Sequence, residues 1–286
     1  MSWFWLALAS AFLLASGDTA AKRLLQGYEA REMTLVYAVF AALCLLPWLL
    51  WLPWPAFTPA FWGWVAALIP LEFLGMLLYL AAIRDSPLAL TVPYLAFTPV
   101  FMVLTGYLVL GERVSAQGLA GIGLIVIGAY SLNAEHWRGG WLAPLRAIAH
   151  ERGSRYMLGA AAVYSLTSVM GKAAMQHVPP VFFGPFYFLL LGLAAPLVLA
   201  ADRPARLKAL WRRPAAHLLI GLLASAMVIT HFLALAQVEA AYMIAVKRSS
   251  LLFGILYGAL LFGEQRLRQH LAAGALMVAG VAVLVL

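Results

Sequence analysis

The sequence predicts an all-α integral membrane protein with ten transmembrane helices in two inverted five-helix repeats. Three observations predict this class: an apolar composition, ten apolar runs of membrane-spanning length, and a similarity between the two halves of the chain. Of the 286 residues, 65% are hydrophobic and 10% are charged. Soluble domains are about 45 to 50% apolar and about 25% charged. The composition therefore indicates a chain whose surface contacts lipid.

Ten apolar runs, separated by short polar segments, are each long enough to cross a membrane. A helix needs about 20 residues to cross about 30 Å of hydrocarbon. The first run has no basic residue ahead of it and continues past Asp18, so we expect a retained span and not a cleaved signal peptide. The ten predicted spans lie near residues 3–25, 32–52, 60–83, 87–110, 115–133, 155–176, 180–200, 214–236, 240–262 and 267–285.

The basic residues predict how the chain is oriented. Fifteen of the nineteen lysine and arginine residues fall in the connections that follow spans 1, 3, 5, 7 and 9. Arg113 and Lys172 fall on the other side, and Lys247 and Arg248 lie inside a span. Because cytoplasmic loops carry the excess of basic residues, both termini are expected outside. The same distribution indicates that the basic residues behind the net charge of +8 orient the chain in the membrane and do not form a nucleic-acid-binding surface.

The two halves of the chain resemble each other. A shift of 152 positions pairs FMVLTGYLVLGER (101–113) with FGILYGALLFGEQ (253–265), and a shift of 150 places KRLLQ (22–26) on KAAMQ (172–176). Because each copy has an odd number of spans, the second enters the membrane from the opposite side, which is a plan typical of transporters. The predicted domains are a first repeat over 1–136, a basic linker over 137–154 and a second repeat over 155–286.

The ten spans, the two repeats and the Gly-Glu pair after the fourth span of each repeat give the chain a family resemblance. It resembles the EamA-like branch of the drug/metabolite transporter superfamily over nearly its whole length. The resemblance implies a secondary transporter of the bacterial inner (plasma) membrane that works by alternating access. The expected substrate is a small polar or amphipathic metabolite, amino-acid-like or an organic anion, moved outward. Exporters of this family usually keep both termini in the cytoplasm, opposite to the orientation that the loop charges predict.

Lys247 and Arg248 lie side by side inside the ninth span, where each cation costs about 2.5 to 3.5 kcal/mol on insertion scales. Adjacent helical positions point about 100° apart, so the two side chains can have different roles. The face of Lys247 continues through Ser250, Gly254 and Tyr257 and is the more polar one. We therefore expect Lys247 to line a central cavity and bind an anionic group of the substrate. Arg248 is either a second ligand contact or the partner of an acid, and a pair of snorkelling side chains is the alternative.

Three further ionisable residues inside spans are candidates for proton or ion coupling. Glu72 has no cation within reach along its own helix, so it pairs with Lys247 or Arg248, binds a cationic substrate group, or exchanges a proton. Asp18 lies four residues before Lys22, so a local ion pair and a transport role are both open. A single membrane histidine such as His231 is either hydrogen-bonded within the bundle or a proton carrier.

Aromatic residues and prolines supply the remaining candidates. Substrate-binding candidates include Tyr79, Tyr94 and Tyr257, and six aromatic residues inside spans are candidates for the wall of a site for an amphipathic substrate: Tyr79, Tyr94, Phe97, Tyr164, Tyr187 and Tyr257. With Glu72 they favour an alternative, an exporter of organic cations or amphipathic drugs. A regular series in the fourth span predicts a hinge: Pro87, Pro93 and Pro99. Small residues in 118–128 and 272–280 predict close helix packing or a dimer contact.

Several functions are excluded by what the sequence lacks. A single cysteine, Cys44, permits no internal disulfide and no multi-cysteine metal site, and we expect no metal and no cofactor. The chain has no GxxxxGK[ST] loop for direct ATP coupling and no cluster of catalytic residue types, so it is not predicted to be an enzyme. The expected partners are the lipid bilayer, a small-molecule substrate and protons. Two complete halves make a monomer sufficient.

Overall fold

The computed structural model describes residues 2–86, 92–131, 151–262 and 267–285. In these ranges the chain is helical, with eleven α-helices and two 3₁₀ helices, Val92–Phe97 and Pro204–Trp211. The α-helices are α1 (Ser2–Leu24), α2 (Ala30–Trp51), α3 (Pro59–Asp85), α4 (Thr98–Leu110), α5 (Ala116–Ser131), α6 (Arg152–Ala174), α7 (Pro180–Leu199), α8 (Pro214–Leu235), α9 (Ala240–Lys247), α10 (Ser250–Phe262) and α11 (Leu267–Val285).

Helix length and composition indicate several membrane crossings. Within the described ranges, five helices are long and apolar enough to span a bilayer: α1, α2, α3, α7 and α8, of 23, 22, 27, 20 and 22 residues. Three more apolar helical stretches are shorter: Tyr94–Leu110, Ala116–Ser131 and Ala272–Val285. The chain is therefore a multi-pass helical membrane protein, and the number of ten spans stays a prediction.

Polar residues at the helix starts explain several of the observed bounds. Thr58 accepts a hydrogen bond from the first turn of α3, which begins with Pro59. The Glu151 carboxylate accepts the amide hydrogen bonds of Gly153 and Ser154 at the start of α6. Partial burial opposes ionisation of this carboxyl, but its hydrogen bonds from Ser154, Ser86 and Gly153 hold the pKa of Glu151 below the usual value.

The helix bounds repeat with the two offsets found in the sequence. Shifted by 150 residues, α1 coincides with α6, and shifted by 152 residues, α4 coincides with α10. The helix pairs with the most extensive contacts join the two halves: α1 with α8, α3 with α6, α2 with α7 and α5 with α11. Helices of one repeat are therefore packed mainly against helices of the other, with a shared centre.

The prediction of a continuous helix over 240–262 is wrong at one point. Two turn residues, Arg248 and Ser249, separate α9 from α10. Here the Ser249 amide bonds the Val246 carbonyl at 2.9 Å and the Leu251 amide bonds the Arg248 carbonyl at 3.0 Å, a pattern tighter than an α-helix. The predicted polar face from Lys247 through Ser250 to Tyr257 is therefore interrupted after Lys247.

The fourth predicted span is interrupted at the equivalent place. The 3₁₀ helix that contains Pro93 ends at Phe97, and α4 begins at Thr98 with Pro99 in its first turn. A shift of 152 positions carries Phe97 onto Ser249, the end of the second break. Proline explains the first break, whereas the second consists of Arg248 and Ser249 and contains no proline. Pro87 lies outside the described residues.

The small residues of α5 and α11 pack against each other within the chain. A Cβ atom added at Gly280 would lie 2.7 Å from the Gly121 carbonyl oxygen and 2.9 Å from the Ile125 amide nitrogen. An added Cβ at Gly128 would lie 2.7 Å from the Ala273 carbonyl oxygen. The two backbones are therefore in direct contact, as small residues permit in membrane helices.

Substitution of Gly280 by alanine is expected to destabilise the protein by about 1 to 3 kcal/mol, because α5 and α11 must separate. The measurement is the thermal midpoint in detergent. Gly123→Ala is the matched control, since an added Cβ there meets no atom of the neighbouring described helices within 4 Å. The control is expected to leave stability unchanged or raise it by up to about 1 kcal/mol, because alanine favours the helix. Equal midpoints for both variants would contradict the close packing.

Candidate functional site

A cavity of about 140 Å³ lies where the two halves of the chain meet. Its lining comes from α1, α2, α3, α6, α7, α8, α9 and the 3₁₀ helix Val92–Phe97, together with Arg248 at the break between α9 and α10. Five ionisable side chains other than tyrosine line it: Asp18, Glu72, His231, Lys247 and Arg248. All five were predicted from the sequence, and the fold brings them together.

Lys247 and His231 form one part of the wall. The Lys247 Nζ lies 3.0 Å from His231 Nδ1 and 3.2 Å from the Met227 sulfur. When Lys247 carries its proton, Nζ donates and Nδ1 accepts, so His231 is neutral with its proton on Nε2. Lys247 also lies in the last turn of α9, where the helix dipole favours a cation. His231 thus holds the ammonium group in place.

Arg248 is the buried cation with an unused donor. The residue is 5% exposed, and its Nε has no hydrogen-bond partner among the described residues. No carboxylate oxygen of Asp18 or Glu72 lies within 4.0 Å of the Lys247 or Arg248 nitrogen atoms among the ion pairs of the described residues. An unpaired buried donor is costly, and more so when it is charged. The site is therefore incomplete on its basic side.

The acids are held by neutral neighbours. The Tyr79 hydroxyl donates to the Asp18 carboxylate at 2.5 Å. Lys22, the candidate partner of Asp18, donates to the Ser86 carbonyl at 3.2 Å. Thr167 and Tyr187 lie beside Glu72. Neither acid thus forms a direct ion pair with the cations of the cavity, and both carboxyl groups remain available to a ligand.

Other predicted site residues lie elsewhere. Ser250 is buried in the first turn of α10 and is not among the residues that line the cavity. The Tyr257 hydroxyl shares a hydrogen bond of 2.6 Å with Ser16 on α1. Tyr94 is buried in an apolar cluster that also contains the cavity residues Tyr79 and Leu80, but Tyr94 is not itself among the lining residues. The break after Lys247 explains two of these positions, because α10 does not continue the face of α9.

Sequence reasoning missed several polar residues of the cavity. Tyr37 from α2 and Thr167 and Ser168 from α6 line it. One signal was present: Tyr164, Ser168 and Gly171 follow the i, i+4, i+7 spacing of one helical face. No comparable pattern surrounds Tyr37, which is brought to the cavity by the packing of α2.

Ion pairs join the loops at one end of the bundle. Arg206 bonds the carboxylates of Asp202 and Glu29, and Arg31 bonds Asp202 at 2.8 Å. The hydrogen bond from Arg206 holds the pKa of the Asp202 carboxyl below its usual value. Exposed pairs of this kind add only about 0 to 1 kcal/mol each. Their significance is positional, because they place the α1–α2 and α7–α8 connections side by side.

The chain is similar to known proteins in three ways. The sequence model of the EamA-like transporter family matches residues 1–134 and again residues 152–286. A probable 4-amino-4-deoxy-L-arabinose-phosphoundecaprenol flippase subunit ArnE, from Pectobacterium atrosepticum, is 36% identical over 73 residues, which are 26% of this chain. The match spans 65% of the length of that relative. A solved crystal structure has the same fold, with a TM-score of 0.75 at 17% identity over 100% of this chain and 99% of the other. Because the family match covers both halves, the chain belongs to the EamA-like transporter family.

Proposed function

We propose that this protein is a secondary transporter that carries a small polar or amphipathic metabolite through the central cavity by alternating access. Family membership supports transport in general. The observation that carries the specific proposal is the unpartnered Nε of buried Arg248 in the cavity wall. A carboxylate of the substrate would accept hydrogen bonds from Arg248, and the guanidinium group suits this planar anion. Lys247, held by His231, adds a second positive charge beside it.

The acidic side of the cavity restricts the chemical class of the substrate further. Asp18 and Glu72 share the lining with the two cations. A substrate with an amine as well as a carboxylate would interact with both sides, which favours an amino-acid-like compound over a simple organic anion. The cavity volume of about 140 Å³ suits a small compound.

A second candidate function is export of organic cations or amphipathic drugs. Four tyrosines line the cavity near the acids: Tyr37, Tyr79, Tyr164 and Tyr187. Aromatic faces attract cations, and a carboxylate would complete such a site. In this case Glu72 would bind the ligand, and the Lys247–His231 contact would be structural.

Thermal stabilisation by ligands distinguishes the two functions. Purified protein would be tested with amino acids, organic anions, organic cations and sugar phosphates, each with the unaltered chain and with Lys247→Met. A ligand at about 100 times its dissociation constant stabilises the folded state by about 2.7 kcal/mol. We expect the largest shift with a zwitterionic or anionic compound and a smaller shift in the variant. Stabilisation only by cations, equal in both proteins, would support the second candidate and contradict the first.

We also propose ten spans in two inverted repeats, with the basic end of the bundle in the cytoplasm and both termini outside. Loop charges support this orientation. In a Cys44→Ser background, Ala56→Cys and Ala205→Cys place single thiols at exposed positions in the α2–α3 and α7–α8 connections. In intact cells, an impermeant maleimide is expected to label position 56 and not position 205. The reverse pattern would place both termini in the cytoplasm.

A further inference from the structure

The Gly-Glu pair that follows α4 forms a defined turn, and neither residue is among those that line the cavity. Gly111 adopts a left-handed conformation with φ 69° and ends α4. Its amide bonds the Tyr107 carbonyl at 3.1 Å, and the Glu112 amide bonds the Gly106 carbonyl at 3.2 Å. Together these bonds form a Schellman turn, in which glycine is preferred. The turn directs the Glu112 side chain back over Gly106, where an added Cβ would lie 3.2 Å from Glu112 Oε2.

The Glu112 carboxylate connects the first half of the chain to two helix ends of the second half, the end of α6 and the start of α9. It forms an ion pair with Lys172 near the end of α6. Its other oxygen accepts the Ala240 amide hydrogen bond at 3.0 Å, at the start of α9. The Lys172 ammonium also donates to the Val238 carbonyl. One carboxylate and one ammonium therefore hold three segments together.

This cluster is partly shielded from solvent. The Lys172 and Glu112 side chains are 20% and 14% exposed. Beside it, the Tyr242 hydroxyl accepts the Ser115 amide hydrogen bond at 3.0 Å. A partly exposed ion pair is stabilising, yet both charges can be rehydrated when it separates. Such a contact can be made and broken, unlike an apolar core.

The cluster is mechanically linked to the cavity through α9. This helix has eight residues, so it is about 12 Å long at about 1.5 Å per residue. Its first amide bonds Glu112, and its last residue, Lys247, lines the cavity beside Arg248. A displacement of the start of α9 would therefore move the cations of the site.

We propose that Glu112 and Lys172 form a latch that closes the bundle at the end where α6 ends and α9 begins, and that each transport cycle opens and closes it. The inference rests on the proposed function, because a latch has a role only if the cavity opens to each side in turn. The two residues act through α9 and are positioning residues that do not contact the substrate.

The test measures access to the cavity from the latch end. Ala224 lines the cavity, and Ala224→Cys in a Cys44→Ser background provides a thiol for a membrane-impermeant reagent. Glu112→Gln removes the ion pair but keeps an oxygen for the Ala240 amide, and Lys172→Met leaves the Glu112 oxygens in place. We expect each variant to increase the labelling rate at least fivefold from the side on which Ala56→Cys reacts. The double variant should label no faster than the faster single one, since both remove the same contact.

Arg31→Gln is the matched control, because it removes the ion pair with Asp202 at the opposite end. It is expected to leave the rate from the latch side unchanged. Unchanged labelling in both folded latch variants, or an equal increase in the control, would overturn the latch. Where Glu112→Gln fails to fold, Lys172→Met decides alone. Substrate exchange by the unaltered protein is measured separately. If the unaltered protein exchanges substrate but the latch variants label at the unaltered rate, the latch alone is rejected. If the unaltered protein does not exchange substrate, the proposed function is rejected.

Discussion

Replacement of Arg248 by methionine is expected to reduce substrate exchange about 10- to 100-fold and, at the same time, to raise the thermal stability of the protein. Arg248 is 5% exposed and its Nε has no partner in the described part of the chain, so in the absence of substrate the burial of its guanidinium group opposes folding. Methionine fills a similar volume without the charge. A hydrogen bond to a charged group contributes about 1.5 to 3 kcal/mol, so exchange should fall about 10- to 100-fold, since each 1.4 kcal/mol is a factor of ten.

Two further variants make this result specific. Arg248→Lys keeps the positive charge but not the two-pronged donor geometry, and we expect an intermediate loss of exchange. Arg212→Gln removes an arginine that pairs with Glu32 at the loop end, 3.3 Å away, and should leave exchange unchanged. If Arg248→Met unfolds at a lower temperature than the unaltered protein, Arg248 has a structural partner, and its role as an unpaired group that awaits the substrate is wrong.

Replacement of Glu72 by glutamine is expected to abolish uptake driven by a pH gradient and to preserve exchange of substrate across the membrane. Glutamine keeps the shape of the side chain but cannot bind and release a proton. Glu72 lines the cavity with no direct ion pair to Lys247 or Arg248. Its protonation can therefore respond to the presence of substrate, which coupling requires.

The measurement uses proteoliposomes with an imposed pH gradient, and separately without one. Glu32→Gln is the matched control, because Glu32 is a buried carboxylate at the loop end, paired with Arg212. It should retain both activities. Full gradient-driven uptake by Glu72→Gln would assign coupling to another group, and Asp18→Asn would then be tested in the same way. Loss of exchange as well would indicate that Glu72 binds the substrate.

Much of this architecture follows from the sequence because lipid imposes strict rules on it. Apolar runs of fixed length predict most helices, and the two offsets of 150 and 152 residues reappear in the helix bounds. The charges of the cavity were predictable for the same reason, since cations and acids inside spans are costly and rarely lack a function. Lys247, Arg248, Glu72, Asp18 and His231 were found in this way.

Contacts between distant helices were not predictable from one sequence. The break between α9 and α10 contains no proline or glycine, so no local signal marked it. The hydrogen bond between Lys247 and His231 joins different helices, and the packing of α8 against α9 decides it. The Gly-Glu pair was noticed as a repeated pattern, but its contacts with Lys172 and Ala240 depend on the fold.

A counterflow assay decides whether the substrate binds at Arg248 and is exchanged through the cavity. The radiolabelled compound that gives the largest thermal stabilisation is added outside proteoliposomes preloaded with an excess of the unlabelled compound, without any ion gradient. We predict transient accumulation of label with the unaltered protein and an initial rate of accumulation at least about tenfold lower with Arg248→Met. Equal accumulation with both proteins, or none with a folded protein that binds the compound, would contradict this mechanism.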